Sequence, residues 1–382
     1  MLKSGETNRS TGFYAPELDG LRWFAVLAVM FAHYSPTLNR HFDWGSPGVR
    51  LFFVLSGFLI THILLRARAS CDAAQQTPRQ ALFGFFTRRV FRLWPLYFAS
   101  LAVAYALKVR GTESPFAWHG LFATNHYVFH YQTWPGLLSH YWTLAVEQQF
   151  YLLWPPIILL VPPRTLNWIL GAMLVTGPVA RWLPLSLGWT SPDMAGVLLP
   201  ASFDFFALGA AVACLRRTNL LDRLGSRRAL RIAMLAAAGW MALGAVIKTQ
   251  GLQPFYWVVY DASIQGVGFT ALLIYFLRYP DGRLANTVRW SPFVYLGQIS
   301  YGLYVWHNLM HRFGPSLLRR ITGESYFPDE PAHVIYYIIL TVTVGIISYH
   351  GFEAPARQLG QRLALLRSRT PLQVPVPTPG AQ

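Results

Sequence analysis

Cysteine and charged residues are scarce in this chain. Its 382 residues include two cysteines, Cys71 and Cys214, and no CxxC or mixed His/Cys ligand spacing. The sequence therefore predicts no disulfide framework and no bound metal. Only 13% of the residues are charged, whereas 53% are apolar. This balance excludes an ordinary soluble domain.

Acidic residues are scarcer still, since 16 Asp and Glu stand against 32 Lys and Arg, for a net charge of +16. The basic residues lie between long apolar runs rather than in one basic region. That distribution favours the positive-inside pattern of membrane proteins over nucleic-acid binding.

Ten apolar segments are long enough to cross a bilayer. They are centred on residues 19–36, 48–65, 86–107, 141–161, 166–185, 198–215, 230–247, 256–277, 294–311 and 333–351. With a cytoplasmic N-terminus, ten spans leave 23 of the 32 Lys and Arg on the inner side, as the positive-inside rule requires. We therefore predict an all-α polytopic membrane protein with about ten transmembrane helices and both termini cytoplasmic.

This topology divides the chain into three parts. Residues 1–15 form a cytoplasmic N-terminal segment, and residues 16–355 form the transmembrane domain. Residues 356–382 form a basic and then proline-rich cytoplasmic tail, which we expect to be disordered.

Arg22 and His33 are separated by ten apolar residues, Trp23 to Ala32. Eleven helical steps return almost to the same face and rise about 16 Å, so His33 is predicted deep in the membrane on the face of Arg22. Ionisable groups at such depth are costly and usually face a wet cavity. This pair is therefore a candidate functional site.

Arg89 and Arg92 open the third apolar segment and share one helix face because they are three residues apart. Their arrangement suits phosphate recognition. An anchor at the lipid headgroups is the alternative interpretation. Arg22 lies at the same predicted membrane level, which favours a shared anion site.

Glu147 lies inside the fourth segment, where a carboxylate needs a partner. The first predicted segment runs outward through the membrane and the fourth runs inward, so Glu147 is predicted to lie at the depth of His33. The two residues therefore form a candidate general-base pair. The alternative is that each residue only ties helices together by hydrogen bonds.

Four further polar residues give weaker signals. Ser56 precedes Gly57 and is either a nucleophile or, more simply, part of a close helix contact. Tyr304 and His307 lie near one face of the ninth segment and are candidate cavity-lining residues. Asp204 lies near the start of its segment, where simple hydration accounts for it.

Six motifs in this order resemble the bacterial membrane-bound acyltransferase-3 family. They are LDGLRWFAVLAVMFAH, FFVLSGFLI, RRVFRLWPLYF, HYWTLAVEQQFYLLWP, ISYGLYVWH and FEAPAR. The resemblance implies a multi-pass protein of the bacterial cytoplasmic (inner) membrane that transfers acyl groups, most often acetyl from acetyl-CoA, to hydroxyls of polysaccharides, lipids or macrolides. It further implies that Arg22, His33, Arg89, Arg92 and Glu147 are functional residues.

Two departures from the family pattern are visible. Gln148 follows Glu147 where the family often has a second glutamate. Nothing after Arg369 predicts the appended extracytoplasmic domain of longer members.

Together these signals predict a membrane O-acyltransferase whose acyl-CoA phosphates bind Arg22, Arg89 and Arg92. His33 then acts either as general base, oriented by Glu147, or as an acyl carrier. Acyl-CoA is a co-substrate, and we expect no permanently bound cofactor. The acceptor is a carbohydrate, glycolipid or macrolide, which we expect at the outer loops 118–140 and 312–331. A transporter or flippase for a lipid-linked or anionic substrate is the alternative function.

Overall fold

The computed structural model describes residues 14–218, 220–223, 225–252, 257–323 and 329–368. Residues 1–13 of the predicted N-terminal segment, 324–328 of the second predicted acceptor loop and 369–382 of the predicted tail lie outside these ranges. Within the described ranges the regular structure is helical, and no strand is found. The all-α prediction is thus confirmed.

The first nine helices run through the region that carries most of the predicted site. They are α1 (Pro16–Tyr34), α2 (Pro36–His41), α3 (Gly45–Asp72), α4 (Pro78–Ala106), α5 (Phe116–Gly120), α6 (Thr124–Tyr131), α7 (Tyr141–Leu160), α8 (Pro163–Ser186) and α9 (Phe203–Arg217). The second set comprises α10 (Arg227–Thr249), α11 (Trp257–Arg278), α12 (Arg283–Val288), α13 (Ser291–Gln298), α14 (Ser300–Trp306), α15 (Met310–Thr322), α16 (Pro331–Ser348) and α17 (Ala354–Ser368). Shorter 3-10 segments occupy Gly136–Leu138, Leu199–Ser202 and Leu220–Arg223, and a π-helical turn occupies Tyr349–Glu353.

Helix α3 lies at the centre and packs closely against α9. A Cβ added at Gly57 would collide with the backbone of Phe206, and one added at Gly209 would collide with the backbone of Val54. These two glycines therefore allow the two backbones to touch. The predicted close helix contact beside Ser56 is found.

Aromatic side chains fill the core on both sides of α3. Phe150 of α7 stacks on Phe206 of α9 with ring centroids 3.9 Å apart. A second buried cluster joins α1, α4, α14 and α16, and it includes Val26, Tyr97, Leu303 and Tyr337. The site described below lies between these two clusters.

Six described helical segments are long and apolar enough to cross a membrane: Gly45–Asp72, Pro163–Ser186, Leu199–Arg217, Arg227–Thr249, Trp257–Arg278 and Pro331–Leu365. Three more predicted segments form the continuous helices α1, α4 and α7. The ninth predicted segment, 294–311, differs because it is divided among α13, α14 and α15. The chain is thus a helical membrane protein, while the count of about ten spans and the cytoplasmic termini stay predictions.

Helix α17 extends the ordered fold past the predicted boundary at residue 355. It packs on α4, where a Cβ added at Gly360 would collide with the side chain of Phe91. The Arg357 guanidinium also donates to the Tyr349 hydroxyl at 2.9 Å. The predicted disorder of the tail is therefore wrong for residues 356–368, because this segment has a helix to pack on.

A buried ion pair joins α8 to α9. The Arg181 and Asp204 side chains are 1% and 4% exposed, and the Arg181 Nη2 lies 2.6 Å from Asp204 Oδ2. A second hydrogen bond, from Nη1 to Oδ1, measures 3.0 Å. The predicted hydration of Asp204 is wrong, since the neighbouring helix supplies a guanidinium in place of water.

Candidate active site

Three arginines from two helices line one continuous space, which we call the arginine cavity. Arg22 of α1 and Arg89 and Arg92 of α4 border two adjoining cavities of about 60 and 140 Å³, and Tyr151 of α7 borders both. Helix packing turns Arg89 and Arg92 inward, because both stand on the α4 face that meets α3 and α7. The predicted clustering of the three arginines is therefore present.

The guanidinium groups in this cavity have few protein partners. Arg22 lies 3.8 Å from Asp19 one turn earlier. Arg89 stacks 5.1 Å above the ring of Tyr151 and 5.6 Å above that of Phe85. Among the described residues neither Arg89 nor Arg92 has a carboxylate within the 4.0 Å of an ion pair. Half-buried positive charge without matching anions favours an anionic ligand.

Glu147 borders the same space. Its Oε1 accepts hydrogen bonds from the Ser56 hydroxyl of α3 and from the Tyr151 hydroxyl one turn along α7. Ser56 Oγ and the Tyr151 hydroxyl are themselves 3.3 Å apart. These two donors satisfy a carboxylate that would otherwise be costly to bury.

His33 lies in a different group of side chains, the histidine cluster of His33, His140 and His307. The ring centroid of His307 is 4.9 Å from that of His33 and 4.9 Å from that of His140. The Nδ1 of His307 lies 2.5 Å from the Tyr304 carbonyl oxygen and therefore carries the proton. Its buried Nε2 has no hydrogen-bond partner in the part of the chain that the structure describes.

Tyr304 connects the histidine cluster to the arginine cavity. Its ring centroid lies 5.2 Å from that of His307, and it lines the cavity together with Thr143. The two hydroxyls of Tyr304 and Thr143 are 2.6 Å apart. A ligand in the arginine cavity is thus separated from the histidines by one side-chain layer.

The predicted pairing of His33 with Glu147 is not found. Glu147 bonds to Ser56 and Tyr151, and no ion pair or hydrogen bond joins it to His33 in the described part of the chain. Glu147 lies two turns, about 10 Å, along α7 from His140. The predicted depth of each residue rests on the ends of the apolar runs. That estimate does not include where each helix begins, and it therefore placed His33 and Glu147 side by side.

Sequence reasoning also missed three residues of the site. Tyr151 was detectable, because it stands four residues after Glu147 on one helix face. Thr143 and His140 have no comparable local signal, since their role depends on α14 packing beside α7. Of the weaker predictions, Ser56 and Tyr304 line the arginine cavity, and His307 lies behind Tyr304.

Within the described ranges, no three His, Cys, Asp or Glu side chains are close enough together to hold a metal ion. Cys71 and Cys214 are free thiols. The groups present can bind an anion and move a proton.

Comparison with known proteins shows which family of proteins this chain resembles. The acyltransferase domain model of the acyltransferase-3 family matches residues 16–350. The chain is 28% identical over 376 residues to the putative peptidoglycan O-acetyltransferase YrhL of Bacillus subtilis, covering 91% of this chain and 56% of that protein. It is 28% identical over 381 residues to the peptidoglycan O-acetyltransferase OatA of Listeria monocytogenes, covering 93% and 57%.

A third relative is the O-acetyltransferase OatA of Staphylococcus aureus, 26% identical over 374 residues, covering 91% of this chain and 58% of that protein. The chain therefore spans somewhat more than half the length of the curated relatives it matches. No solved structure matches it.

Proposed function

The chain belongs to the acyltransferase-3 family, and from this premise we propose that it transfers an acetyl group from acetyl-CoA to a hydroxyl of a cell-wall carbohydrate. The names of the relatives support the acceptor class, because two of them are peptidoglycan O-acetyltransferases. The proposal places the protein in the bacterial cytoplasmic membrane, with the donor bound from the cytoplasm.

The observation that carries the proposal is the arginine cavity. Arg22, Arg89 and Arg92 bring three guanidinium groups together, and Arg89 and Arg92 lack carboxylate partners among the described residues. The phosphates of CoA are the anions that such a cluster suits, because guanidinium binds phosphate oxygens through paired hydrogen bonds.

The acetyl group then travels from the arginines towards His33. Arg22 and His33 are eleven residues apart on α1, a rise of about 16 Å that an extended pantetheine arm can cover. Tyr304 and Thr143 lie between the two ends of this path. The distance from Arg22 to His33 along α1 thus matches the length of a donor whose phosphates bind at Arg22 and whose thioester reacts at His33.

His33 would act as general base in this scheme. It takes the proton of the acceptor hydroxyl, whose oxygen attacks the thioester carbonyl carbon. The new C–O bond forms as the C–S bond breaks, and the proton passes to the departing CoA sulfur. In the competing version His33 first carries the acetyl group and the acceptor removes it in a second step.

Glu147 has a revised role in this proposal. Because it bonds to Ser56 and Tyr151 beside the arginines, it would position the donor and balance the positive charge of the cavity. The ring of His307, with its centroid 4.9 Å from that of His33, would restrict the rotation of His33 by packing against it.

The test combines the purified full chain with acetyl-labelled acetyl-CoA and peptidoglycan. We expect label in the glycan that mild alkali releases, as an O-acetyl ester requires, and none with His33→Ala at equal protein levels. Translocation of the glycan without any ester would contradict the enzyme and favour the transporter alternative. Rapid quenching decides between the two versions, because only the acyl carrier version leaves label on the protein before the acceptor is added.

A further inference from the structure

A second cavity of about 520 Å³ lies beside the arginine cavity. Its walls come from the chain before α3, the first turns of α3, α9 and α11, and the last turns of α8 and α10. Ser46 of α3 borders this cavity, whereas Ile63 borders the arginine cavity. Seventeen residues of helix, about 25 Å, separate these two positions. The two cavities therefore meet along Val49 and Phe53, and the arginine cavity continues from there towards the far end of α3.

The charges in and beside the second cavity nearly balance, with one carboxylate in excess. Arg50 of α3 lies 2.8 Å from Asp261 of α11, and Arg181 is paired with Asp204. The remaining lining charges are two carboxylates, Asp43 and Asp193, and one ammonium, Lys248. A cavity with this balance does not concentrate anions as the arginine cavity does. It suits an uncharged, polar ligand.

Two buried polar atoms in its wall have no hydrogen-bond partner among the described residues. Gln265 is 4% exposed, and its amide nitrogen donates to both carboxylate oxygens of Asp261 at 2.9 and 3.0 Å. Its Oε1 has no hydrogen-bond partner, and neither has the Nε of Arg181, which is 1% exposed. A ligand that offers both a donor and an acceptor, as a sugar hydroxyl does, would complement these two atoms of the wall.

Aromatic side chains complete the wall. Trp142 of α7 and Trp257 of α11 both line the cavity. Convergent polar groups among aromatic walls are typical of small-ligand sites, whose volumes run from about 300 to 1,000 Å³. A lipid tail fits poorly, since two ion pairs lie in the wall.

The second cavity also adjoins the arginine cavity. Val49 and Phe53 of α3 border both spaces. A ligand in the second cavity is therefore one side-chain layer from a donor in the other. A substrate waiting to react needs this proximity.

We propose that the second cavity binds the acceptor as an uncharged sugar unit, with hydroxyls bonded to Gln265 and Arg181. This assignment rests on the acetyl transfer proposed above, because it names where that acceptor binds. It replaces the outer loops predicted from the sequence as the principal acceptor site.

The test fills the cavity without removing any bond. Ala245 lines the second cavity on α10, whereas Ala242, one turn earlier, is exposed and does not line it. We compare Ala245→Trp with the matched control Ala242→Trp, using the purified full chain. Calorimetry measures the Kd for an uncharged probe, the tetramer of N-acetylglucosamine, and separately for acetyl-CoA.

Ala245→Trp is expected to raise the Kd of the tetramer and the KM of the acceptor at least tenfold, while the Kd of acetyl-CoA stays unchanged. Ala242→Trp should change neither value. The retained affinity for acetyl-CoA shows that the variant is folded. As a second variant, Gln265→Leu should also weaken the tetramer, because it removes the unpartnered oxygen.

Failure of this proposal differs from failure of the proposed function. If Ala245→Trp transfers acetyl with an unchanged KM for the acceptor, the proposed sugar site is wrong and the proposed function stands. The same conclusion holds if the wild-type chain transfers acetyl but does not bind the tetramer. Saturable tetramer binding that Ala245→Trp abolishes, with no ester ever formed, supports the sugar site and overturns the transfer.

Discussion

Replacement of Arg89 by Gln tests the arginine cavity most directly. Arg89 stacks on Tyr151 and Phe85 but has no carboxylate partner among the described residues, so its charge is available to a ligand. One hydrogen bond from a charged group contributes about 1.5–3 kcal/mol. At about 1.4 kcal/mol for each factor of ten, Arg89→Gln should raise the KM for acetyl-CoA about 10- to 150-fold.

The effect on folding should be small. The loss of two ring contacts costs about 0.5–1 kcal/mol each, and the relief of repulsion among three neighbouring cations offsets part of that cost. We expect the midpoint of thermal unfolding to move little, although a residue important only for packing would shift it.

The assay is steady-state acetyl transfer with acetyl-CoA varied at a fixed, saturating acceptor concentration. Arg88→Gln is the matched control, since Arg88 precedes Arg89 in the sequence but is exposed and borders neither cavity. Its KM should stay within about twofold of the wild-type value, as expected of an exposed residue.

Two results would refute the reasoning. Equal increases in KM for Arg88→Gln and Arg89→Gln would mean that net charge, and not the cavity, attracts the donor. An unchanged KM in Arg89→Gln together with a clear loss of thermal stability would make this arginine a structural residue.

Three further predictions follow from individual contacts. Tyr151→Phe removes one of the two hydroxyls that donate to Glu147 and should lower kcat/KM about 5- to 150-fold, equivalent to a loss of about 1–3 kcal/mol, in the same transfer assay. Asp204→Asn leaves the buried Arg181 without its counter-ion and should destabilise the protein by about 3–5 kcal/mol, visible as a lower midpoint in thermal unfolding; an unchanged midpoint would contradict the burial of this pair. Gly209→Val should disrupt the contact of α9 with α3 and reduce folded protein, as size-exclusion chromatography after detergent extraction would measure, and normal yield would show that the two backbones are further apart.

The sequence alone was sufficient to group the arginines. Arg22 follows the start of α1 by two turns and Arg89 lies inside α4, so a topology derived from charge placed them at one level. Helix period then put Arg89 and Arg92 on one face. Both inferences depend only on position along a helix, which sequence reports well.

Contacts between helices were beyond the reach of the sequence. The separation of Glu147 from His33 depends on where α7 begins relative to α1, and no local pattern records that offset. The second cavity could not be predicted from the sequence either, because residues as distant in the chain as Asp43 and Gln265 come together only after folding. Buried partners such as Arg181 and Asp204 likewise look like ordinary polar residues until a neighbouring helix is placed beside them.

The partition formed by Val49 and Phe53 bears on the electrical integrity of the membrane. A protein that receives one substrate from each face risks becoming a conduit for ions, and each elementary charge crossing 100 mV dissipates about 2.3 kcal/mol. The two residues that border both cavities, Val49 and Phe53, are apolar, so neither offers a polar group to an ion passing between them. Under the proposed function, this layer between donor and acceptor would also insulate the cell, and only the acetyl group would need to cross it.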